Sequence, residues 1–417
     1  MAQEWIAAMP GIIQTQPLPE WQVTWVDTVE AIAESLWESC FPPPLEGLWW
    51  YRALQHSGLQ DQFRFCYAVV SHNGQAVAIA PAFVMDVPLA IVAPPWTLPM
   101  LRLLERVAPS WVRQRTLFIG SPCSEQGSVG MLPGVDRERV MVAIQESLLE
   151  RARLLRAVMV VWKDFARQDG PLFAKLLDRM FAMVSYPGTV CPLPATKEAY
   201  FAALSANRRH QLKKKLRLSA AAVAVELSIV RQPDQETLRE IFALFWQTYQ
   251  RAATRFEELN ETFFQQIALA DPARFILLRE KSTQQLLAFM LCFQFPGYVI
   301  NKFVGFDYHR PRQWLLYFRL WEAVLDWSLA IGATCIQSGQ TVYAAKIAVG
   351  HQLVPLTNYA LHRHPLLHWL YGRIAPTISW QSLDGTLAEY LQAHSAQTLT
   401  AEETEPFCKV VQDNPEK

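Results

Sequence analysis

The sequence lacks most of the features that would assign it at once to a class of protein. Its 417 residues carry no net charge, because 38 basic side chains balance 38 acidic ones. A global field that favours nucleic acid is therefore excluded, and any such preference must come from a local cluster. Charged residues make up 18% of the chain and hydrophobic residues 51%, which excludes a disordered protein and supports a large core.

Several standard sites are also missing. The cysteine count is odd and no pair has the C-x-x-C spacing, which argues against a disulfide scaffold and structural zinc and favours reduced thiols in the cytoplasm. The sequence has no secretory signal and no apolar run of about 20 residues for a membrane span. It has no nucleophile elbow, Walker loop or H-E-x-x-H motif. His362, His364 and His368 are spaced H-x-H-x-x-x-H, but Pro365 argues against their convergence, so no metal site is predicted.

The chain does contain one order of elements that occurs twice. In each block two β runs lead to a third strand, an amphipathic helix and a further buried strand. The strongest local signal is the Asn73-Gly74 hairpin turn of the first block. The predicted elements of the first block are 65–71, 76–84, 116–119, 137–156 and 157–162. Those of the second block are 275–279, 286–295, 298–304, 312–331 and 333–337.

This repetition predicts an α/β (α+β) protein of two lobes, each with a mixed, largely antiparallel sheet flanked by helices. The predicted divisions are an irregular N-terminal segment 1–45, an N-terminal lobe 46–190, a C-terminal lobe 191–396 and a flexible acidic tail 397–417. Helix 172–183 is predicted before the boundary, and the last strand is predicted at 353–361.

Three stretches, in this order, resemble the GNAT acyltransferase superfamily, and more closely its FemAB-like group with two GNAT-like lobes in tandem. The first is W-Y-R-A-L from Trp50, and the second is L-S-A-N-R-R from Leu204. The third is F-V-G-F-D from Phe303, which is followed by Tyr343-x-x-Lys346.

The resemblance implies an N-acyltransferase that moves an acyl or acetyl group from a CoA-type thioester to an amine acceptor. It implies no tightly bound cofactor and acyl-CoA, such as acetyl-CoA, as co-substrate. Acyl carrier protein and aminoacyl-tRNA remain open as donors. A peptidoglycan-type aminoacyl ligase that uses aminoacyl-tRNA and an inactive GNAT-like binding module remain open as alternatives.

The sequence departs from the GNAT pattern at the loop that binds pyrophosphate. GNAT proteins open the helix after their fourth strand with a glycine-rich loop, whose backbone amides bind phosphate. Here no glycine stands between Gly305 and Gly332. Arg310 and Arg312 are predicted to contact phosphate through their side chains instead.

Two groups of residues are the candidates for chemistry. Asp307 is predicted at the reacting amine, and Tyr343 and Lys346 are predicted on one helical face, where they hold an acceptor carboxylate or a developing oxyanion. A lysine among apolar neighbours should also find an anion or titrate below its usual range. The alternatives without a catalytic role are that Asp307 is present because aspartate suits the turn and that Lys346 extends its ammonium from the helix edge into solvent.

The second group is a basic helix without acids, which is predicted to bind donor phosphates unless it is simply a solvated face. Its residues are Arg208, Arg209 and Lys213, followed by Lys214, Lys215 and Arg217. The segment 366–373 is apolar with a cationic end, which fits either a helix docked on the sheet or a peripheral contact with a membrane or an acyl chain.

Overall fold

The computed structural model describes residues 20–89, 97–108, 112–166, 169–176, 179–252, 255 and 257–394. The predicted tail 397–417 lies outside the described residues, as does the N-terminal part of the predicted segment 1–45.

The described strands and helices follow each other along the chain in an α/β order. The strands are β1 (Trp21–Val26), β2 (Arg64–His72), β3 (Gln75–Pro88), β4 (Arg113–Ile119), β5 (Gly130–Met131), β6 (Met159–Ala166), β7 (Phe181–Val184), β8 (Gly188–Pro192), β9 (Val225–Val230), β10 (Ala273–Glu280), β11 (Leu286–Phe295), β12 (Tyr298–Phe306), β13 (Cys335–Gln337), β14 (Gln352–Val354) and β15 (Leu356–His362). The helices are α1 (Glu34–Cys40), α2 (Leu48–Gln55), α3 (Leu98–Val107), α4 (Arg137–Leu154), α5 (Gly170–Leu176), α6 (Lys197–Ala203), α7 (Ala206–Ala222), α8 (Gln235–Arg251), α9 (Glu261–Ala268), α10 (Leu316–Ala330), α11 (Tyr343–Ala348), α12 (Pro365–Ile374), α13 (Trp380–Leu383) and α14 (Gly385–His394).

The strands form two sheets with the same internal order. The first sheet runs β1-β2-β3-β4-β6-β15-β7, with β5 paired to β3, and the second runs β9-β10-β11-β12-β13-β8-β14. One parallel pair stands at the same place in each sheet, β4 with β6 and β12 with β13. The predicted fold class, two mixed and largely antiparallel sheets flanked by helices, is confirmed. We call the described residues of 20–187, together with β15 and α12, the first lobe, and the described residues of 188–354 the second lobe.

The two sheets exchange one strand each. β8 precedes the second block but lies between β13 and β14, whereas β15 ends the second block and lies between β6 and β7 of the first sheet. The predicted boundary at 190 and 191 therefore falls inside β8. The division of the chain into domains stays a prediction, but the sheets are not continuous in sequence.

The lobes also share a hydrophobic core. α1, α2 and the first sheet contribute to the same buried cluster as α8, α9 and the second sheet. Trp49 packs edge-on against Phe293 across this junction, with the ring centroids 4.7 Å apart. The outer face of the first sheet is covered by α4, and that of the second sheet is covered by α7 and α10.

Some elements differ from the sequence prediction for local reasons. The predicted irregular segment contains β1, whose alternating W-Q-V-T-W-V pattern pairs with β2. The predicted helix 172–183 is a short α5 followed by β7. Pro355 divides the predicted last strand into β14 and β15, which lie in different sheets. The predicted helix 312–331 begins with a 3-10 turn, and Leu315 in the left-handed region (φ 50°) separates that turn from α10.

Within the described ranges, no helix is long and apolar enough to cross a membrane. The same ranges contain no group of three or more His, Cys, Asp or Glu side chains placed to hold a metal ion.

Candidate active site

The centre of the second sheet opens where two parallel strands part. β12 pairs with β13 only from Tyr298 to Ile300, where it lies beside Cys335–Gln337. β12 then continues to Phe306, whereas β13 ends at Gln337. Along 301–306, β12 has β11 on one edge and no described strand on the other.

The backbone of β12 presents donors to this gap. Asp307 donates its N–H to Leu287 in the direction of β11, at 2.8 Å. In an antiparallel pair the hydrogen-bonding direction alternates, so the N–H groups of Phe306 and Val304 point to the other edge. That of Phe306 donates to Oγ1 of Thr248 on α8, at 3.2 Å. The N–H of Val304 therefore faces the gap.

Lys302 is a β-bulge at the start of the gap. Leu291 lies opposite Phe303 and Cys292 lies opposite Asn301, which leaves Lys302 as the extra residue of β12. Only 1% of its side chain is exposed, although the residue as a whole is partly exposed. The exposure therefore lies in its backbone.

The buried ammonium of Lys302 is held by two carboxylates of the first lobe. Its Nζ lies 3.0 Å from Oε1 of Glu125 and also contacts Oε1 of Glu46, and it sits 4.6 Å from the ring centroid of Trp50. Burial raises the pKa of Glu46, while Lys302 acts in the opposite direction. The two carboxylates raise the pKa of Lys302 above its usual value against the effect of burial, so this lysine stays charged.

Glu125 reaches the gap on a loop that fills the corresponding place in the first lobe. β4 and β6 pair only up to Ile119 and Trp162. The loop then crosses to β6, where Gly127 donates its N–H to the Asp164 carbonyl at 2.8 Å. A Cβ atom at Gly127 would lie 2.1 Å from the Lys163 carbonyl oxygen, so glycine permits this approach. This loop thus fills the space between β4 and β6 in the first lobe, and it places the Glu125 carboxylate at the gap between β12 and β13 in the second lobe.

One oxygen of this carboxylate is unsatisfied. Among the described residues, Oε2 of Glu125 is buried without a hydrogen-bond partner, as is Nε2 of Gln340. A Cβ atom at Gly339 would lie only 3.1 Å from that oxygen. Buried carboxylate oxygens normally have partners, so an exception requires an explanation, of which a catalytic role is one.

Lys346 approaches the same place from α11. Its Nζ donates to the carbonyl oxygens of Gly339 (3.2 Å) and Gln340 (2.9 Å). Burial lowers the pKa of Lys346 to about 8, and the negative charge of Glu125 opposes this shift. The lowered pKa agrees with one of the two expectations for a lysine among apolar neighbours, and the role of Lys346 at the site stays a prediction.

The loop that holds Lys346 is strained. Gly339, Thr341 and Val342 all have positive φ, at 51°, 65° and 52°. β-branched residues rarely adopt this region, and such outliers concentrate at functional sites. The loop is fixed by Thr189, which donates to the Gly339 carbonyl at 2.9 Å.

A neutral histidine supports the loop from behind. Nε2 of His351 lies 2.8 Å from Oγ of Ser338, and its Nδ1 lies 3.1 Å from the Lys346 carbonyl. Burial, and then the charge of Lys346, lower the pKa of His351 to about 3. Asn301 of β12 also donates to Ser338, at 3.3 Å, which ties the two strands together just before they part.

Tyr343 lies one turn from Lys346 on α11, but its hydroxyl points elsewhere. The residue is buried and donates its proton to the Pro187 carbonyl at 2.9 Å, beside β8. This bond anchors α11 to the lobe junction. A hydroxyl has one proton, so in this conformation Tyr343 is not a donor to a substrate.

Asp307 lies outside the Lys302–Lys346 region. It directly follows β12, and it lies five residues beyond Lys302 along an extended strand, a distance of about 16 Å. Its carboxylate accepts from Nε of Arg310 (3.0 Å) and from the His309 N–H (3.0 Å). Arg310 also contacts Gln285 and lies 3.5 Å from Glu280. The two predicted residues thus hold each other, at the edge of a cavity of about 400 Å³ lined also by Glu240, Gln247 and His309.

The predicted basic helix is α7, and it lies beside the loop that follows β12. Ser219 donates to the Trp314 carbonyl at 2.6 Å, and Nζ of Lys215 sits 4.2 Å from the ring centroid of Phe318. Lys213 is exposed, and Arg209 caps the carbonyls of Phe201 and Ala202 at 3.4 and 3.3 Å. Arg208 is partly exposed and Arg312 is exposed.

Sequence reasoning missed Lys302, Glu46 and Glu125. The sequence contained one indication of this site, which is the charged Lys302 inside the apolar strand 298–304. Because lysines are almost never buried without a partner, its position predicted an acidic partner elsewhere in the chain. The partners lie more than 170 residues away in sequence, so no spacing pattern connects them.

Comparison with known protein families gives a match for the part of the second lobe that contains this gap. Residues 206–343, from α7 to the start of α11, match the family model described as Acetyltransferase (GNAT) domain. This region is similar to a GNAT domain. The expected resemblance to the GNAT superfamily is thereby confirmed for the second lobe.

Among solved structures, several tandem and related proteins are similar at low identity. L-PGS from Bacillus licheniformis has 13% identity, the match covers 77% of this chain and 92% of L-PGS, and the TM-score is 0.47. FemX has 12% identity, 77% and 93% coverage, and a TM-score of 0.49. A tandem GNAT protein from the clavulanic acid biosynthesis pathway has 12% identity, 83% and 99% coverage, and a TM-score of 0.46. No curated protein sequence matches this chain.

Proposed function

We propose that the second lobe is an N-acyltransferase that moves an acyl or acetyl group from a CoA-type thioester to an amine. The supporting observation is the gap between β12 and β13 beyond Ile300 and Gln337, within the stretch that matches the GNAT domain. An open strand edge can hold an extended ligand arm by main-chain hydrogen bonds.

The reaction needs no covalent enzyme intermediate. The amine nitrogen attacks the thioester carbonyl carbon, the new C–N bond forms, and the C–S bond breaks as the thiol leaves with a proton. The protein has to position the two reactants, stabilise the oxyanion and accept the proton of the amine.

The groups at the gap match these tasks. Val304 offers a backbone N–H to the oxyanion. Lys346 offers a cation, because its pKa of about 8 leaves it mostly charged at neutral pH. This cation can stabilise the oxyanion or, alternatively, bind an acceptor carboxylate. We assign proton acceptance to the unpaired Oε2 of Glu125. Tyr343 positions α11 through its bond to Pro187.

The remaining predicted residues belong to the donor end. Asp307 and Arg310 lie at the far end of β12, where they would border the distal part of the donor. Arg208, Arg209, Lys213 and Arg312 would meet its phosphates. Arg310 is the weakest phosphate ligand of the group, because Asp307 and Gln285 already bind its guanidinium.

A second candidate donor is aminoacyl-tRNA, which would make the protein a peptidoglycan-type aminoacyl ligase. Two observations favour it over CoA: the loop after β12 has no glycine, and the exposed cations of α7 form a face rather than a pocket. The free thiols of the described cysteines fit a reducing compartment, which for either donor would be the cytoplasm.

The test is a transfer assay with the full-length chain. Acetyl-CoA, a long-chain acyl-CoA and charged tRNA are offered with a panel of amines, and amide formation is measured with and without ribonuclease. We expect amide formation that depends on the thioester and does not change with ribonuclease. The Lys346→Met variant should lose this activity, whereas the control variant Lys281→Met, at an exposed lysine, should retain it. Ribonuclease sensitivity would transfer the proposal to the tRNA donor. No turnover, together with calorimetry that shows no donor binding, would favour an inactive module and overturn it.

A further inference from the structure

The outward face of α12 is apolar. Leu366, Trp369 and Leu370 are 65%, 58% and 40% exposed, and with exposed Arg373 they follow the i, i+3, i+4, i+7 spacing of one helix face. The opposite face already packs on the first sheet, where His368 and Gly372 contact Phe181. A helix that is apolar on both faces is normally covered on both.

The charge of the chain segment that contains α12 is one-sided. The sequence has no Asp or Glu between Asp326 and Asp384, whereas Arg363, His364 and Arg373 flank the apolar face. Arg373 lies 5.7 Å from the ring centroid of Trp369. Exposed leucines, a tryptophan and cations without acids are typical of helices that lie in the interface of an anionic membrane.

A second exposed apolar helix lies at the same end of the first sheet. α3 connects β3 to β4, which pair at this end through Pro88 and Arg113. Tyr371 of α12 is bonded to Gln114, the next residue of β4. On α3, Met100, Leu103 and Val107 are each more than 60% exposed. Both helices therefore extend the same apolar end.

We propose that this end of the first lobe, formed by the outward faces of α12 and α3, docks on an anionic lipid bilayer. The charge complementarity favours a bilayer over an apolar protein partner, because phosphatidylglycerol-type headgroups would meet Arg363 and Arg373 while Leu366 and Trp369 enter the acyl boundary. The docked face lies beyond the far end of β15, about 20 Å from the lobe junction, so docking leaves the gap at Lys346 open.

The experiment is vesicle flotation of the full-length chain. Vesicles of phosphatidylcholine alone are compared with vesicles in which about a quarter of the lipid is phosphatidylglycerol. We expect binding to the anionic vesicles that weakens with salt. The combined variant Leu366→Ser, Trp369→Ser and Leu370→Ser should bind them at least about tenfold more weakly, and Arg373→Gln should reduce the salt dependence.

A matched control removes equally exposed apolar side chains from the second lobe. Leu227→Ser, Ile229→Ser and Leu269→Ser, which are 45%, 39% and 66% exposed in the native chain, should leave vesicle binding unchanged. Thermal melts check that both triple variants fold, and if the α12 variant does not, Trp369→Ser alone is used.

Three outcomes would overturn the proposal. These are no binding of the native chain to anionic vesicles at low salt, equal binding by the α12 variant, and loss of binding only when the α7 lysines are changed to glutamine. A native dimer that becomes monomeric in the α12 variant without an effect on vesicles would assign the face to a second copy of the chain instead.

Discussion

Lys302 of the second lobe lies 3.0 Å from Glu125 of the first, and both side chains are more than 90% buried. With Glu46 they form a buried group of one cation and two carboxylates across the lobe junction. Removal of one member of such a group leaves uncompensated charge in a low dielectric, whereas removal of all of them can be neutral.

Lys302→Met should therefore lower the free energy of unfolding by about 3–5 kcal/mol, measured by urea denaturation at pH 7. Adding Glu46→Gln and Glu125→Gln should restore most of the loss. The exposed control Lys281→Met should change stability by less than about 0.5 kcal/mol. A Lys302→Met protein as stable as the native chain would contradict the buried ion pair.

Glu125→Gln should lower kcat by about 10²–10⁴ while KM for the donor changes little, because the amide cannot accept the proton of the amine. Glu46→Gln is the matched control, since it removes the other carboxylate of Lys302. It should affect stability as Glu125→Gln does but spare kcat. Equal kcat losses in the two variants would assign Glu125 a purely structural role.

Lys346 links activity to pH. Because burial lowers its pKa to about 8, kcat/KM should fall as pH rises through 8 if its cation holds the oxyanion or an acceptor carboxylate. Lys346→Arg stays charged across this range, so its profile should lose that fall. A native profile that is flat through pH 8 would remove the cation from the mechanism.

The same shift has a consequence for stability. The folded chain releases the Lys346 proton at about pH 8, whereas the ordinary value is 10.5. Between these values the unfolded chain binds more protons, so the native free energy of unfolding should rise with pH. Below pH 8 the buried charge costs stability in full. Lys346→Met should therefore raise the melting temperature at pH 7 and lack the rise at alkaline pH, as expected for a residue kept for function.

The lysines of α7, of which Lys213 and Lys214 are exposed and Lys215 is partly buried, provide a separate test of donor binding. Lys213→Gln, Lys214→Gln and Lys215→Gln together should weaken binding of the donor and flatten its dependence on salt. The control, Arg153→Gln with Lys281→Gln, removes exposed cations elsewhere and should change neither. Calorimetry at several salt concentrations measures both. Unchanged affinity and salt dependence in the α7 variant would show that this helix is only a solvated face.

Local patterns were sufficient for most strands and helices. Asn73-Gly74 forms the predicted hairpin, with φ of 50° and 82° at the two residues. β10, β11 and β12 lie within a few residues of their predicted bounds, because short apolar runs between polar or turn residues are typical of buried strands. α10 begins late because the left-handed Leu315 interrupts it, and no propensity predicts that conformation for leucine.

The site could be predicted only in part. The apolar neighbours of Lys346 in sequence predicted either a bound anion or a lowered pKa, and in the structure burial lowers the pKa of Lys346 to about 8. The electrostatic influence of Glu125 on Lys346, and the ion pair of Glu125 with Lys302, depend on the packing of the two lobes against each other. The sequences of β8 and β15 do not indicate which sheet each strand joins, because strand pairing depends on tertiary packing.

The exchange of β8 and β15 predicts that the two halves of the chain fold together. A fragment of residues 1–190 would lack β15, the strand between β6 and β7, and a fragment of 191–417 would lack most of β8. Each would also expose its side of the shared core around Trp49 and Phe293. We expect neither fragment to melt cooperatively alone, and the full chain to show one calorimetric transition. Co-expression of the fragments should recover a complex with cooperative melting. A fragment that folds by itself with a sharp transition would show that the strand exchange is dispensable and that the predicted boundary separates two autonomous domains.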